Sequence, residues 1–279
     1  MRLYRLADGI ARADGDDGLA VLDLPHPDVG ALVSDGVDPA TAPVRERIPL
    51  AAAALRSPVT HPGQLVLHGL VYADHVVEAG QPRPAAPTFL PAPGGDLDDP
   101  GAPIRLPADP DARVDYEGEI AVVIGRTAAD LDPAAAWDAI AGLTIVDDVS
   151  ERTEQMRAMA AQPWDVVALA HAKRHPTFKP TGPCLVTADE FDRDPDLRIR
   201  TLLNGVAVQD DRTSNMIFTI SEIVAAVSRR IPLGPGDLIC TGTPAGVALA
   251  TGRYLQAGDV VTVEVERLGT LTNPVVAPR

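Results

Sequence analysis

The sequence has little lysine, little cysteine, few aromatic residues and no long hydrophobic run. Two cysteines in 279 residues are too few for a disulfide scaffold. No apolar run approaches the roughly 18 residues that span a bilayer, and the first residues lack the apolar segment of a signal peptide. We therefore expect a soluble, cytoplasmic protein with no membrane partner.

Positive charge is also scarce, because 24 Lys and Arg residues stand against 39 Asp and Glu residues, for a formal net charge of −15. This excess of negative charge argues against a nucleic-acid partner. The glycine-rich motifs of dinucleotide-binding and phosphate-binding loops do not occur, which disfavours nucleotide enzymes. The apolar fraction of 46% is typical of a folded globular chain.

The only two lysines are Lys173 and Lys179. One interpretation is that the preference for arginine over lysine reflects the codon composition of the gene. Under that interpretation Lys179 is an ordinary surface residue. Alternatively, a lysine is retained where a compact ammonium is needed instead of a guanidinium fork. The sequence leaves both interpretations open.

Composition and patterning indicate a small N-terminal unit over residues 1–60, followed by further regions of different character. Residues 18–24 predict a strand in the first unit. Residues 64–80 predict a strand followed by a short helical turn. Residues 81–113 are dense in Pro, Gly and Asp, which predicts a long irregular excursion.

Two helix starts and their ends are predicted by capping signals in the middle of the chain. Asp132 is expected to cap a helix that has Pro133 at its first position and ends at Gly142. Ser150 is expected to cap a second helix that runs to about Ala161.

Strand patterns and one further helix complete the expectation. Residues 119–125 and 143–146 are apolar strands, and residues 260–266 alternate Val with Thr or Glu. A capping box over residues 219–222 predicts a helix start. The aggregate is β-rich with few helices, which places the fold in the α+β class.

Paired carboxylates form the strongest candidate site. Period-two geometry puts Glu117 and Glu119 on one face of a strand, with only Gly118 between them. Like charges so close repel unless a cation neutralises them, although an exposed acidic strand edge would also fit this pattern. Asp147 or Asp148 ends the next strand. Three carboxylates without a Cys/His pattern favour Mg²⁺, Mn²⁺ or Ca²⁺.

Two neighbouring patterns could serve the same chemistry. Asp148, Arg152 and Gln155 are spaced as one stripe of a helix, which suits a carboxylate-bearing, metal-chelated substrate, although an ordinary charged surface helix has the same pattern. In a helical turn, Glu78 could orient His75 as a general base, although such i,i+3 pairs are common on surfaces.

These motifs occur together in an order that resembles the fumarylacetoacetate hydrolase family. The resemblance covers roughly residues 64–272 and rests on VDYEGEIAVVIGR, TIVDDVSERTEQ, KRHPTFKPTGP, SNMIFTISEIV and LGPGDLICTGTPAGV, with GLVYADHVVEAG upstream. It implies a small N-terminal unit over residues 1–63, followed by a catalytic domain over residues 64–279 that folds as a mixed β-sandwich roll. It also implies a homodimer that acts on a small anionic keto or diketo acid.

The resemblance implies a role for each candidate residue. Mg²⁺ or Mn²⁺, with Ca²⁺ also compatible, would be bound by Glu117, Glu119 and Asp148. The implied catalytic residues are His75 and Glu78, which would activate water, and Lys173, which would stabilise the developing enolate or carboxylate. The implied substrate-binding residues are Tyr72, Arg152, Gln155, Gly242 and Thr243, with the turn over residues 241–244 offering backbone N–H groups to an anionic oxygen.

The resemblance implies a divalent-metal-dependent hydrolase that cleaves a C–C bond in a 2,4-dioxo acid of the acylpyruvate or fumarylacetoacetate type. The alternative is a lyase or isomerase of the same family, acting by oxaloacetate-type decarboxylation, hydroxymuconate-type isomerisation or sugar-acid dehydration. A minor alternative is a non-catalytic metal-binding protein. Val71, Asp147 and Pro176 depart from the family pattern, and these departures concern the substrate pocket.

Overall fold

The structure, a computed structural model, describes residues 1–93, 95 and 97–279. Strands account for 36% of the chain and helices for 21%, which confirms the α+β class. Among the described residues, none of the helices is both long and apolar enough to cross a membrane.

A large mixed sheet contains eleven of the described strands, including those that carry the candidate site. Its order is β4-β3-β2-β1-β13-β11-β10-β16-β6-β7, with β5 paired to β1. All pairs are antiparallel except β16 with β6. The strands are β1 Arg2–Leu6, β2 Gly9–Ala13, β3 Gly18–Leu22, β4 Val44–Pro49, β5 Leu55–Arg56, β6 Gln64–Gly69, β7 Thr88–Pro93, β10 Gly118–Ile124, β11 Ile140–Asp147, β13 Thr181–Thr187 and β16 Leu238–Cys240.

A second sheet of five described strands has the order β15-β14-β17-β18-β8, and β9 forms a separate short pair with β12. These strands are β8 Ile104–Arg105, β9 Val114–Asp115, β12 Ser150–Glu151, β14 Arg198–Leu203, β15 Val206–Arg212, β17 Val260–Val265 and β18 Gly269–Val276.

The helices are short and lie between the strands. They are α1 Val29–Ser34, α2 Ala73–Glu78, α3 Pro133–Ala136, α4 Arg152–Ala160, α5 Val166–Ala172, α6 Ile220–Ser228 and α7 Ala248–Thr251.

Strand β10 lies inside the large sheet and is buried on both faces. Ile120 and Val122 point into a core that also contains residues of α6, β17 and β18. Ala121 and Val123 point into a second core, with residues of α1, β1 and β6. Because side chains alternate along a strand, this one apolar strand joins two cores and gives the carboxylates at its start a rigid support.

Several local predictions are confirmed. The capping box of α6 is complete, since Thr219 accepts from the Glu222 N–H and Glu222 accepts from the Thr219 N–H. Asp132 caps α3, with Pro133 at its first turn. Strands β3, β6, β10, β11 and β17 lie where the patterns place them, and the alternate valines of β17 are buried.

Three local predictions are wrong. The helix after Asp132 does not reach Gly142, because the apolar residues from Ile140 onward pair as β11. The cap of α4 is Glu151 instead of Ser150, since the longer carboxylate reaches two backbone N–H groups. The excursion over residues 81–113 is not irregular throughout, because it contains β7 and the two-residue β8, both edge strands, where proline is tolerated. Gly94 and Asp96 of this excursion lie outside the described residues.

The predicted N-terminal unit is hydrogen-bonded to the rest of the chain. Strand β1 pairs with β13, so that Arg2 lies opposite Val186 and the strands of residues 1–63 extend the large sheet. The boundary after residue 63 stays a prediction.

Candidate functional site

The three predicted carboxylate ligands meet at one end of the β10–β11 pair. The strands are antiparallel and Gly118 lies opposite Asp147, so the start of β10 adjoins the end of β11. One oxygen each from Glu117, Glu119 and Asp148 lies within 4.8 Å of the others, and all three residues are buried. The antiparallel register therefore brings together carboxylates that are about thirty positions apart in sequence.

Three buried cations surround these carboxylates. The ammonium of Lys173 contacts Glu117 and lies 2.9 Å from Asp148 Oδ2. The ammonium of Lys179 lies 2.5 Å from Asp148 Oδ1. Arg152 donates to Glu117 and, from Nε at 2.7 Å, to Asp115. These ion pairs offset much of the cost of burying several acids together.

The carboxylates differ in their electrostatic environment. Burial raises the pKa of Glu117, but the cations of Arg152 and Lys173 outweigh burial and hold this pKa well below its usual range. Burial, followed by the charges of Asp148 and Glu117, raises the pKa of Glu119 well above its usual range. The negative charge of Glu119 is therefore less well balanced by protein cations than the negative charge of Glu117.

The donor set fits a hard divalent cation. Among the described residues, Oε1 of Glu119 is buried and has no hydrogen-bond partner, while Oε2 accepts from the Gly242 N–H at 2.7 Å. An unpaired buried carboxylate oxygen is costly, and a cation bound between Glu117, Glu119 and Asp148 would remove that cost. All three residues offer oxygen, which is the donor that Mg²⁺ and Mn²⁺ prefer.

The predicted His–Glu pair forms on α2. Nδ1 of His75 lies 2.7 Å from Oε1 of Glu78, and Oε2 of Glu78 accepts from the Gly246 N–H at 2.9 Å. This hydrogen bond uses Nδ1, so that Nε2 is the ring nitrogen on the side away from Glu78. The charge of this imidazole is a minor cause of the lowered pKa of Glu117, after the effects of Arg152 and Lys173.

The predicted substrate turn is joined to β10 and β15 by hydrogen bonds. Thr243 donates to the Gly118 carbonyl at 3.0 Å and accepts from Gln209 Nε2 at 2.8 Å. Gly242 has φ +89°, and a Cβ there would lie 3.0 Å from Val71, so the turn requires glycine. The backbone N–H of Gly242 donates to Oε2 of Glu119.

The structure also places Tyr72 and the three residues of the predicted helical stripe, Asp148, Arg152 and Gln155. Tyr72 is fully buried, and its hydroxyl has no hydrogen-bond partner among the described residues. Arg152 donates to Gln155 at 2.6 Å as well as to the carboxylates. Asp148 precedes β12 and α4 and belongs to no helix, so the predicted stripe of Asp148, Arg152 and Gln155 does not form along one helical face.

Besides Asp115, which accepts from Arg152, two buried residues of this network were not predicted. Lys179 was expected on the surface under the codon interpretation, yet it is 2% exposed. Its presence as one of two lysines was the available signal. Gln209 is 1% exposed and bonds Gly118, Thr243 and Pro244. It stands on a polar edge strand, so no local pattern indicated its burial.

Residues 64–276 match the sequence profile described as Fumarylacetoacetate (FAA) hydrolase C-terminal. That match covers well over half of the chain. The chain belongs to the fumarylacetoacetate hydrolase family.

Relatives in this family carry different activities. A Xenopus laevis protein named Oxaloacetate tautomerase fahd2, mitochondrial, is 36% identical over 225 residues, 80% of this chain and 68% of the relative. A Sphingomonas protein named 2,4-didehydro-3-deoxy-L-rhamnonate hydrolase is 36% identical over 266 residues, 94% of this chain and 89% of the relative. Both names describe enzymes that act on small acids.

A solved structure of the family contains a metal. Maleylpyruvate hydrolase from Sphingobium sp. SYK-6, in complex with manganese(II) and pyruvate, superimposes with a TM-score of 0.80 and 26% identity, covering 100% of both chains. The chain therefore has the same fold as an enzyme of this family, which confirms the expected architecture.

Proposed function

We propose that this family member is a Mg²⁺- or Mn²⁺-dependent hydrolase that cleaves a C–C bond in a 2,4-dioxo acid of the acylpyruvate type. The observation that carries the proposal is the His75–Glu78 pair, with 2.7 Å between Nδ1 and Oε1. Glu78 is itself held by the Gly246 N–H. A histidine oriented in this way through Nδ1 is suited to remove a proton from water with Nε2.

Glu117, Glu119 and Asp148 would hold the metal. When bound, the metal supplies Lewis acidity to the oxygens of a chelating keto acid and to the enolate that leaves. The manganese and pyruvate in the Sphingobium structure support this assignment. Pyruvate is the 2-oxo acid that hydrolysis of an acylpyruvate releases.

The His75 side chain would carry the proton through the reaction. Nε2 takes a proton from water as the oxygen adds to the distal ketone carbon, and Glu78 stabilises the imidazolium. The bond between that carbon and the adjacent CH₂ breaks, and its electron pair leaves with the keto-acid fragment as an enolate. The proton returns from Nε2 to the enolate carbon, which gives a carboxylic acid and a 2-oxo acid.

The remaining predicted residues would position the substrate. Lys173 is 8% exposed and already contacts two of the proposed ligands, so its ammonium is placed to stabilise negative charge that develops beside them. The proposal keeps substrate-binding roles for Tyr72, Arg152, Gln155, Gly242 and Thr243, and a homodimer as the assembly that the family resemblance implies.

A second candidate function is isomerisation of an oxaloacetate-type acid. The Xenopus relative named as an oxaloacetate tautomerase favours it. Tautomerisation moves a proton between carbon and oxygen and needs no nucleophilic water. Decarboxylation of the same acid also needs no nucleophile, because the electron pair of the broken bond becomes the enolate directly.

The deciding experiment compares acetylpyruvate hydrolysis with oxaloacetate tautomerisation and decarboxylation, each assayed with Mn²⁺ and with Mg²⁺. We expect wild type to hydrolyse acetylpyruvate and His75→Ala to lower that rate by about 10²-fold or more, the usual scale of a lost general base. Mn²⁺ affinity and any decarboxylation should be largely retained.

Asp74→Asn is the matched control, since Asp74 lies on the same helix and is exposed. It should leave hydrolysis near the wild-type rate. If wild type tautomerises oxaloacetate but does not hydrolyse acetylpyruvate, the hydrolase proposal is wrong and the isomerase stands. If hydrolysis and decarboxylation fall together in His75→Ala, His75 is not the water-activating base.

A further inference from the structure

A second group of metal-ligating side chains lies on α4 and at the end of α5, apart from the three buried carboxylates. Nδ1 of His171 lies 2.8 Å from Oε1 of Glu154, and Nε2 of His175 lies 2.9 Å from Oε2 of the same carboxylate. One ligand atom from each of the three residues lies within 4.8 Å of the others. We call these three residues the helix-pair cluster.

We propose that the helix-pair cluster binds a borderline transition-metal ion, with Zn²⁺ as the best match. The donors are two imidazole nitrogens and one carboxylate oxygen, a set that suits Zn²⁺. The two histidines are separated by three residues, which falls within the His spacing of many zinc sites. This site goes beyond the proposed hydrolase activity and does not depend on it.

The cluster is held in place before any ion binds. The rings of His171 and His175 have centroids 4.6 Å apart, and His175 packs on Phe178, a fully buried ring, at 5.1 Å. Preorganised ligands lower the entropic cost of closing a metal site.

The cluster is also open to solvent on one side. The side chains of His171, His175 and Glu154 are 60%, 21% and 29% exposed. Zn²⁺ can therefore reach the three donors, and water can complete a four-coordinate site. The donors differ in kind from the all-oxygen set of Glu117, Glu119 and Asp148, so the two sites should prefer different metals.

An ion in the helix-pair cluster would also affect Lys173. It stands midway between the two histidines in sequence and caps the C-terminus of α5. An ion bound to the helix-pair cluster would join α4 to α5 and fasten the segment that presents the Lys173 ammonium to the carboxylates.

The test is a titration of chelator-treated full-length protein with Zn²⁺ in millimolar Mg²⁺, with the bound zinc per chain counted after dialysis. We expect His171→Ala, His175→Ala and Glu154→Gln each to weaken one zinc site by at least about tenfold, as loss of a ligand requires. Zn²⁺ should raise the melting temperature of wild type, and this shift should shrink in the three variants.

Two further variants make the result specific. His26→Gln removes a histidine that pairs with a single carboxylate, Asp35, and should leave zinc binding unchanged. Glu119→Gln alters the oxygen site and should leave the zinc site of the cluster intact. His171→Ala is the primary variant because its side chain is 60% exposed, and substitutions at exposed positions usually change stability little. The proposal is overturned if wild type retains no zinc, if all three cluster variants bind zinc as wild type does, or if Glu119→Gln alone abolishes binding.

Discussion

The ammonium of Lys179 lies 2.5 Å from Oδ1 of Asp148, and the ammonium of Lys173 lies 2.9 Å from Oδ2 of the same carboxylate. The only two lysines of the chain thus each contact one oxygen of the same buried carboxylate. Lys179 also donates to the carbonyls of Val149, Phe178 and Lys173. Three carbonyl acceptors and a carboxylate leave room for a compact ammonium but not for a planar guanidinium.

Lys179→Met should therefore destabilise the protein, in contrast to the surface interpretation. Removal of one partner from a buried ion pair leaves the other uncompensated, and we expect the free energy of unfolding to fall by about 3 kcal/mol. Urea unfolding of chelator-treated protein measures this change. Arg157→Met, at an exposed position on α4, is the matched control and should stay within about 0.5 kcal/mol. If Lys179→Met and Arg157→Met both change the free energy of unfolding by equally small amounts, Lys179 contributes no more than an exposed residue.

Glu119→Gln should lower Mn²⁺ affinity by at least about tenfold, because an amide oxygen cannot supply the charge of the carboxylate. The same change should stabilise the metal-free protein, since burial and two neighbouring carboxylates disfavour the charged form of Glu119. Mn²⁺ titration and unfolding of the metal-free form give the two readouts. Asp138→Asn, an exposed acid, is the control. Unchanged Mn²⁺ affinity in Glu119→Gln would remove Glu119 from the site.

Gly118→Ala should disrupt the carboxylate pair without changing any charge. A Cβ at position 118 would lie 2.2 Å from Thr201 Oγ1 and 3.0 Å from Val263 Cγ1, so β10 must shift or its neighbours must give way. We expect weaker Mn²⁺ binding and a loss of about 2 kcal/mol in stability, as for an overpacked core.

Thr201→Ala in the same chain should restore part of both losses. It removes the nearest clashing atom, and that hydroxyl has no hydrogen-bond partner among the described residues. No restoration in the double variant would indicate that the strand backbone, and not Thr201, resists the new side chain.

The stability of the protein should depend on pH through His68. Burial lowers the pKa of His68 from 6.5 to about 4, against a hydrogen bond with the Cys240 carbonyl that raises it. The unfolded chain therefore binds a proton between these values while the folded chain does not. Stability is unaffected by His68 above pH 6.5 and falls as the pH drops toward 4, by on the order of 3 kcal/mol.

The measurement is the free energy of unfolding of wild type and His68→Leu at several pH values between 4 and 7. The variant should lose less stability over this range, because it has no imidazole to protonate on unfolding. Parallel curves for the two proteins would show that His68 takes no part in the acid sensitivity.

Local patterns determined much of the fold. The apolar run of β10, the alternating valines of β17 and the capping box of α6 all form as predicted, because neighbouring residues decide alternation and capping. The same local logic placed Glu117 beside Glu119 and His75 beside Glu78. Strand β7 was missed because prolines mark it as irregular, and only its pairing with β6 decides otherwise.

Long-range packing decided the rest. Asp148 joins Glu117 and Glu119 through the β10–β11 register, which spacing in sequence cannot specify. The burial of Lys179 and Gln209 is likewise a property of the folded chain, and Glu154 meets His171 and His175 only because α4 packs against α5. The sequence by itself thus determined which residue types are available for chemistry and where strands and caps begin. The tertiary structure alone decided which of them are dry, paired and within reach of one another, because burial and Coulomb energy depend on distances that only the folded chain sets.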